Sequence, residues 1–135
     1  MRLINCRIQN VRIHSDFFME FSPRITLIGG GNEMGKSTLV EALHRVLFLK
    51  ATSTGSPIEV LRSKIHLGHP TVELKFEAKG QTYILRKCFS GSSGQISLFS
   101  ETSGDQFSGS VAEENLAALI GVKEIVGSRQ ANKVL

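Results

Sequence analysis

The chain has 135 residues, a formal net charge of +4 and an isoelectric point near 9.3. This length suffices for one ordinary domain with a hydrophobic core, and 41% hydrophobic with 21% charged residues is typical of a soluble globular protein. Its apolar runs are far shorter than the roughly 20 residues of a transmembrane helix, so we expect no membrane partner and a cytoplasmic location. The mild positive charge permits nucleic acid as a partner without indicating it.

The two cysteines, Cys6 and Cys88, are isolated in the sequence. They lack the short, paired spacing of a metal site, and the cytosol keeps thiols reduced. We therefore expect two buried free thiols that bind no metal.

Residues 1–50 begin with three predicted strands. In residues 2–9 apolar and polar residues alternate, which indicates a strand with one buried face. Residues 16–21 (DFFMEF) indicate a second strand. Residues 24–30 (RITLIGG) are apolar on both faces, as in the central strand of a sheet.

An amphipathic helix follows the third strand. After Gly35 the apolar period changes from two to 3.6 residues, and this pattern predicts a helix that ends near Lys50. The apolar stripe of the helix consists of Leu39, Ala42, Leu43, Val46 and Leu47.

Residues 51–69 are predicted to be a loop that contains a short helix. The segment ATSTGS is polar and flexible, which separates the loop from the helix before it. Ser56, Pro57 and Glu59 then form a helix-start signature, so we expect a helix over residues 57–64.

Residues 70–100 are predicted to form antiparallel strands. In TVELKFEA (71–78) apolar residues alternate with charged ones, which indicates one buried and one solvated face. A Lys-Gly turn joins this strand to QTYILRKCF (81–89), and a GSSG segment precedes the third strand, QISLFS (95–100).

The last predicted element is a helix over residues 110–121. Ser110 and Glu113 have the spacing of a capping box at its start, and Gly121 suits its C-terminal cap. Residues 122–135 show no decisive pattern. We expect the whole chain, residues 1–135, to form one domain.

The segment GGGNEMGKST contains a phosphate-binding loop. It matches the pattern G-x-x-x-x-G-K-[ST] in full, with a buried strand predicted before it and a helix after it. In such a loop backbone N–H groups converge on phosphate oxygens, and the positive end of the helix dipole adds to the attraction. The predicted nucleotide-binding residues of the loop are Gly30, Gly31, Asn32, Glu33, Met34, Gly35, Lys36, Ser37 and Thr38.

Three side chains of this loop have individual predicted roles. Lys36 brings a full positive charge to the β- and γ-phosphates and is the catalytic residue that we assign. Ser37 offers its hydroxyl to Mg²⁺, so ATP and Mg²⁺ are the expected cofactors. Thr38 is placed to reach the α-phosphate.

Glu33 is an unexpected carboxylate in a loop that binds an anion. The variable positions of such a loop present their backbone to the phosphates and point their side chains outward. A carboxylate about 8 Å from the phosphates costs about 0.5–2 kcal/mol, which several charge-assisted hydrogen bonds exceed. Glu33 is therefore compatible with phosphate binding.

The residues around the loop resemble the N-terminal part of the ATPase heads of the SMC, SbcC and RecF type. Asn10, Val11 and Arg12 match the N-[FV]-[RK] element that follows the first strand in those heads. The loop itself matches I-x-x-I-x-G-x-N-x-x-G-K-S, and HPTVELKFEAKGQTYILRK resembles the strand pair that follows, with Arg86 at the customary arginine position. The resemblance covers about residues 1–90.

This resemblance implies an α/β fold of the P-loop NTPase class. It implies the N-terminal half of an ABC-type ATPase head, with mixed and antiparallel strands packed around the phosphate-loop helix. Arg12 and Asn32 would flank the nucleotide. The implied partners are the C-terminal lobe of the parent chain, a second head in a homodimer that sandwiches ATP, double-stranded DNA and a nuclease. A nucleoid-associated location would follow.

Two motifs that such a head needs for hydrolysis are absent from the sequence. The Walker B strand would end in Asp-Glu, but the EEN at residues 113–115 follows no apolar strand. The SGSSG at residues 90–94 lacks the context of the LSGG-like signature. In the family these motifs lie downstream of a long coiled coil, so we expect the chain to be the N-terminal lobe of a split head that binds ATP weakly and hydrolyses it negligibly.

The sequence leaves open the roles of two further residues and two alternative functions for the chain. Arg62 matches either an arginine near the nucleotide or a surface ion pair, and Gln130 is a weak match to the Mg²⁺-contacting glutamine of the family. A nucleotide-binding subunit of an ABC transporter and a regulatory module without hydrolysis are the alternatives for the whole chain. A P-loop kinase or GTPase would need acid and base groups and an N-K-x-D motif. The basic residues available for DNA form a diffuse set: Lys64, His66, Lys75 and Lys87.

Overall fold

The computed structural model describes residues 1–11, 14–21, 33–55, 58, 61 and 68–121. Its described strands form one sheet in the order β2-β1-β3-β4-β5-β6, and each neighbouring pair is antiparallel. The strands are β1 (Arg2–Val11), β2 (His14–Glu20), β3 (Thr71–Ala78), β4 (Gln81–Cys88), β5 (Gln95–Ser100) and β6 (Gln106–Ser108). The helices are α1 (Glu33–Phe48) and α2 (Gly109–Ile120), with a 3-10 turn at Gly91–Ser93.

Alternation of apolar residues predicted five of these strands to within two residues at most ends. It missed β6, because a strand of three residues is too short to show a period. The predicted strand over residues 24–30 and the predicted helix over residues 57–64 lie outside the described residues, apart from two buried positions, Ile58 and Leu61. The described part has the strands and helices of an α/β protein.

The hydrophobic core covers one face of the sheet. Cys6 and Ile8 of β1 lie opposite Leu74 and Val72 of β3, and the same row continues through Leu85 into Leu98 of β5. The opposite face carries the charged residues of β3. The predicted division into a buried and a solvated face is thus confirmed for the sheet.

Helix α1 packs on the core face, mainly against β3 and also against β1 and β4. All five residues of its predicted apolar stripe are buried. The period of 3.6 therefore predicted both the helix and the side of it that faces the sheet. Neither α1 nor α2 is long and apolar enough to span a bilayer, among the residues that the structure describes.

The predicted N-cap residue of the last helix was wrong by two residues. Ser108, not Ser110, is the N-cap residue of α2, and its side chain makes no capping hydrogen bond. Glu113 does not complete a capping box, because its side chain is buried against β4 and the end of α1. The predicted C-cap is confirmed: Gly121 has φ 79°, a left-handed conformation that favours glycine.

The two cysteines are free, as predicted, but their environments differ. Cys6 is fully buried in the core, and this burial raises the pKa of its thiol from 9.0 to about 12. Cys88 is only half-buried. The described residues hold no group of three potential metal ligands.

Gly94 allows the chain to pass close to the segment that follows α1. A β-carbon at this position would overlap with the carbonyl oxygen of Ala51 and would also lie 3.0 Å from the carbonyl oxygen of Cys88. Both obstacles are backbone atoms, which cannot rotate away as a side chain would.

We therefore expect Gly94→Ala to lower the free energy of unfolding by about 1–3 kcal/mol, the usual cost of overpacking. Chemical denaturation with urea measures this change. Ser92→Ala, in the exposed turn just before it, is the matched control and should change stability by less than about 0.5 kcal/mol. Equal stabilities of the two variants would show that the backbone here moves apart at no cost.

Candidate functional site

The phosphate-loop motif ends inside the first turns of α1. The helix begins at Glu33, so the backbone of Gly35 and Lys36 is already helical. Gly30, Gly31 and Asn32 lie outside the described residues, as does Arg12. The assignment of these residues, and of the side chains of residues 33–38, to a nucleotide site stays a prediction.

Helix α1 is suited to hold an anion at its N-terminus. Its 16 residues make a rod about 24 Å long, whose backbone dipole is positive at the end where the motif lies. The buried stripe fixes this rod against the core face of the sheet. The N–H groups of the first turn have no acceptor within the helix, so they are available to phosphate oxygens.

The element matched by Asn10, Val11 and Arg12 has a structural role at its first two positions. Asn10 adopts a left-handed conformation with φ 56°, which asparagine tolerates better than most residues. Its side chain lies against Gly68, where a β-carbon would come within 2.7 Å of Asn10 Nδ2. Val11 is fully buried. These contacts fix the end of β1, from which the chain continues to Arg12.

A second, exposed stripe runs along α1. Val40 is 49% exposed and Phe48 is 39% exposed, and His44 lies between them at the same helical spacing. The rings of His44 and Phe48 are 5.3 Å apart. Partial burial, and then the charge of Arg45, lower the pKa of His44, so its ring is neutral at pH 7. The outer side of this helix thus carries two exposed apolar side chains, Val40 and Phe48, with a half-buried imidazole between them.

At the other end of α1 lies a buried ion pair that the sequence analysis missed. Lys87 on β4 is 0% exposed, and its ammonium group donates a hydrogen bond of 2.6 Å to the carbonyl oxygen of Leu49. Lys87 Nζ lies 3.2 Å from Glu113 Oε2 of α2, without the alignment of a hydrogen bond. The other carboxylate oxygen of Glu113 accepts a hydrogen bond of 3.1 Å from the N–H of Ala51.

Lys87 is therefore not part of a basic surface, and that prediction was wrong. It alternates in register with Tyr83 and Leu85, which are buried on the core face of β4. The alternation of buried residues along β4 could have predicted the burial of Lys87. However, a lysine on a core face is rare unless it is paired, and its partner Glu113 lies 26 positions away. Of the other basic residues proposed for DNA, Lys75 forms an ion pair of 3.3 Å with Glu101, and two lie outside the described residues: Lys64 and His66.

Burial governs the charge of Lys87. Loss of hydration lowers the pKa of Lys87 from 10.5 to about 8, and the nearby carboxylate of Glu113 partly opposes this change. In the unfolded chain the lysine would titrate at its ordinary value. Between about pH 8 and 10.5 the unfolded state thus binds more protons than the native state, so this residue makes the protein more stable as the pH rises.

We expect the free energy of unfolding of the wild type to rise by about 1 kcal/mol between pH 8 and 9, relative to a Lys87→Met/Glu113→Leu variant. Urea denaturation at both pH values measures this difference. Cys6 lowers the free energy of unfolding above pH 9, because its raised pKa favours the unfolded state there. Both proteins contain Cys6, so subtracting their free energies of unfolding removes this contribution. A difference that does not change with pH would contradict the lowered pKa of the buried Lys87.

A cavity of about 770 Å³ adjoins the ion pair. It is lined by residues 50–52 after α1, residues 94–97 of β5 and the segment before it, and residues 108–110 and 113–114 of α2. Glu113 is thus shared between the ion pair and the wall of this cavity. The cavity lies at the C-terminal end of α1, about 24 Å from the phosphate-loop end of the helix.

Arg86 lies on the solvent face of β4, opposite to the side on which α1 packs. It is exposed, and it is in register with Glu73 of β3 and Ser97 of β5. The described structure therefore does not bring this arginine to α1. Arg62 and Gln130 lie outside the described residues.

Comparison with known proteins gives consistent matches. The profile of a protein family described as an AAA domain matches residues 5–133.

A DNA double-strand break repair Rad50 ATPase from Methanosarcina acetivorans is 35% identical over 95 residues, which is 69% of this chain and 9% of the relative. A Rad50 ATPase from Sulfolobus acidocaldarius is 32% identical over 97 residues, or 70% of this chain and 11% of the relative. A DNA replication and repair protein RecF from Protochlamydia amoebophila is 37% identical over 54 residues, which is 40% of this chain and 15% of the relative. The chain thus spans about a tenth of the length of the Rad50 relatives.

Proposed function

This chain belongs to the AAA domain family and is similar to Rad50 ATPases and to a DNA replication and repair protein RecF, and we propose that it is the ATP-binding lobe of an ABC-type ATPase head. The parent protein would couple ATP binding and hydrolysis to head dimerisation and DNA processing. The observation that carries the proposal is the complete G-x-x-x-x-G-K-[ST] motif, whose last residues form the first turns of an amphipathic helix.

The proposed ATP site combines the loop with the N-terminus of α1. Backbone N–H groups from Gly30 to Thr38 surround the phosphates, Lys36 neutralises charge on the β- and γ-phosphates, and Ser37 binds Mg²⁺. Arg12 and Asn32 flank the nucleotide. Such a site binds the triphosphate chiefly by charge and backbone geometry, so the base contributes less.

The missing carboxylates would come from a C-terminal lobe of the parent protein. Hydrolysis needs a Mg²⁺-binding Asp and a Glu that polarises the attacking water, and the sequence has no Walker B strand to supply them. Two exposed apolar side chains on α1, Val40 and Phe48, support this proposal, because a phosphate-loop helix with apolar residues on its outer side is suited to pack against a second lobe.

Mg²⁺-ATP titration of the isotope-labelled chain, followed by NMR, tests the proposed site. We expect weak, saturable binding with shifts in the amides of residues 30–38, and much weaker binding of AMP, which lacks the phosphates that Lys36 contacts. We expect no ATP hydrolysis above the uncatalysed background. Turnover by the purified chain that is lost in Lys36→Ala would contradict the division of the site between two lobes.

We further propose double-stranded DNA as the substrate of the parent protein, with a nuclease as a partner and a cytoplasmic, nucleoid-associated location. The support is that the relatives are named as DNA repair and replication proteins. Of the residues predicted to form a basic surface for DNA, Lys87 is buried and Lys75 is paired. Measuring the affinity of the chain for duplex DNA at several salt concentrations tests whether the lobe itself contacts DNA. A salt-dependent affinity supports direct contact, and no binding at low salt assigns DNA to other parts of the protein.

A nucleotide-binding module without hydrolysis is the second candidate for the chain by itself. The absence of a Walker B strand from the sequence favours it. Mixing the chain with the separately produced downstream lobe of the parent protein distinguishes the two. ATP hydrolysis that appears only in the mixture supports the split head.

A further inference from the structure

The C-terminal end of α1 is held by groups from two other elements. Lys87 of β4 donates to the carbonyl oxygen of Leu49, and Glu113 of α2 accepts from the N–H of Ala51. Leu49 is itself continuous with α1, because its N–H donates to the carbonyl oxygen of Arg45. A positive charge thus lies at the negative end of the helix dipole, and the carboxylate contacts the backbone two residues further on.

We propose that Lys87 and Glu113 form a buried clamp that positions α1, and through it the phosphate loop, so that both are positioning residues for nucleotide binding. The proposal rests on the ATP site proposed above. It concerns residues at the opposite end of the helix, which contact no nucleotide.

The geometry supports a positioning role over simple stabilisation of the core. A buried ion pair contributes little to stability compared with apolar residues of the same size, because both charges lose their hydration. Here Lys87 Nζ and Glu113 Oε1 bond to two specific backbone groups, Leu49 C=O and Ala51 N–H. Apolar side chains would fill the same space but could not fix the height and rotation of α1 relative to the sheet.

Because α1 is a rigid rod, a displacement of its C-terminal end moves the whole helix. The stripe of α1 packs on the core face of the sheet, and these non-directional apolar contacts hold the helix to the sheet without specifying one position along it. The clamp opposes sliding, since its hydrogen bonds lie at the end of the rod. A shift at Leu49 therefore moves Gly35 and Lys36 by a similar distance.

The test compares nucleotide affinity with stability in matched variants. Lys87→Met/Glu113→Leu replaces the clamp with apolar residues of similar size and should fold, because apolar replacement of a buried ion pair is generally tolerated. We expect the Kd of Mg²⁺-ATP to rise by about three- to thirtyfold, the usual range for coupling between distant groups. NMR titration measures the Kd, and thermal unfolding measures stability.

Two control variants separate positioning from other effects. Lys75→Met/Glu101→Leu removes an ion pair that Lys75 forms from the solvent face of β3, opposite to α1, and should leave the Kd unchanged. Leu116→Ala destabilises α2 through a core cavity and should lower the melting temperature without changing the Kd at a temperature where the variant is folded. A Kd that rises equally in Leu116→Ala would mean that affinity follows stability, and it would overturn the proposal.

The remaining outcomes are also decisive. An unchanged Kd in the folded Lys87→Met/Glu113→Leu variant overturns the clamp. If that variant does not fold, Glu113→Gln, which keeps the shape and removes the charge, replaces it with the same expected direction, and an unchanged Kd again overturns the proposal. Lys36→Ala in the same series reports on the ATP site itself: if the wild type binds ATP and only Lys36→Ala loses it, the proposed function survives and the clamp fails.

Discussion

Lys36→Ala is expected to raise the Kd of the chain for Mg²⁺-ATP by about 10- to 150-fold. The change removes a charge-assisted hydrogen bond to the β- and γ-phosphates, and such bonds contribute about 1.5–3 kcal/mol. The backbone of Lys36 lies in the first turn of α1. NMR titration or calorimetry with ATP measures the loss.

The control for this prediction is a lysine at the far end of the same helix. Lys50 is exposed and lies two residues beyond the end of α1, so Lys50→Ala removes the same charge from the chain without approaching the phosphates. We expect its Kd to stay within about twofold of the wild type, as for a surface charge screened by salt. Equal effects of the two substitutions would show that ATP responds to net charge alone, and it would refute the role assigned to Lys36.

Lys87→Ala is expected to lower the free energy of unfolding by about 3–5 kcal/mol, the largest loss of stability that we predict for a single substitution. It leaves the carboxylate of Glu113 buried without its counter-charge, and it leaves the carbonyl oxygen of Leu49 without its donor. It also opens a cavity in the row between Val72 and Ile96. Urea denaturation at pH 7 measures the loss.

The partner substitution distinguishes the ion pair from the packing. Lys87→Met/Glu113→Leu removes both charges and fills the space, so we expect it to recover most of the stability that Lys87→Ala loses. Lys75→Ala, which removes a partly exposed lysine from an ion pair of β3, should cost only about 0–1 kcal/mol. If Lys87→Ala were as mild as Lys75→Ala, the burial assigned to Lys87 would be wrong.

The nucleotide site could be predicted from the sequence alone because its motif is local. A phosphate loop is a contiguous segment whose glycines, lysine and hydroxyl act through backbone geometry, so its pattern survives without knowledge of distant contacts. The helix after it was equally local, because the spacing of Leu39 to Leu47 defines one face. The described structure agrees with the helix and its buried face, and the loop residues before Glu33 stay a prediction.

The failures of the sequence analysis share one physical cause. The capping box assigned to Ser110 and Glu113 used a valid local pattern, but the buried ammonium group of Lys87 and the N–H of Ala51 were stronger partners for the same carboxylate. Lys87 was predicted to be on the surface because it is charged, although it occupies the same face of β4 as the buried Tyr83 and Leu85. Both errors concern residues whose environment comes from distant parts of the chain.

The sequence by itself therefore determined five of the six described strands and the amphipathic helix, and it predicts the phosphate-binding loop, because alternation, helical period and loop motif each act over a few neighbouring residues. Only the tertiary structure decided that Lys87, Glu113 and the end of α1 meet in the core, and that Gly94 must be small to pass Ala51. Those contacts depend on strand order and helix packing, which join residues separated by tens of positions. Burial and charge at such meeting points are properties of the fold as a whole.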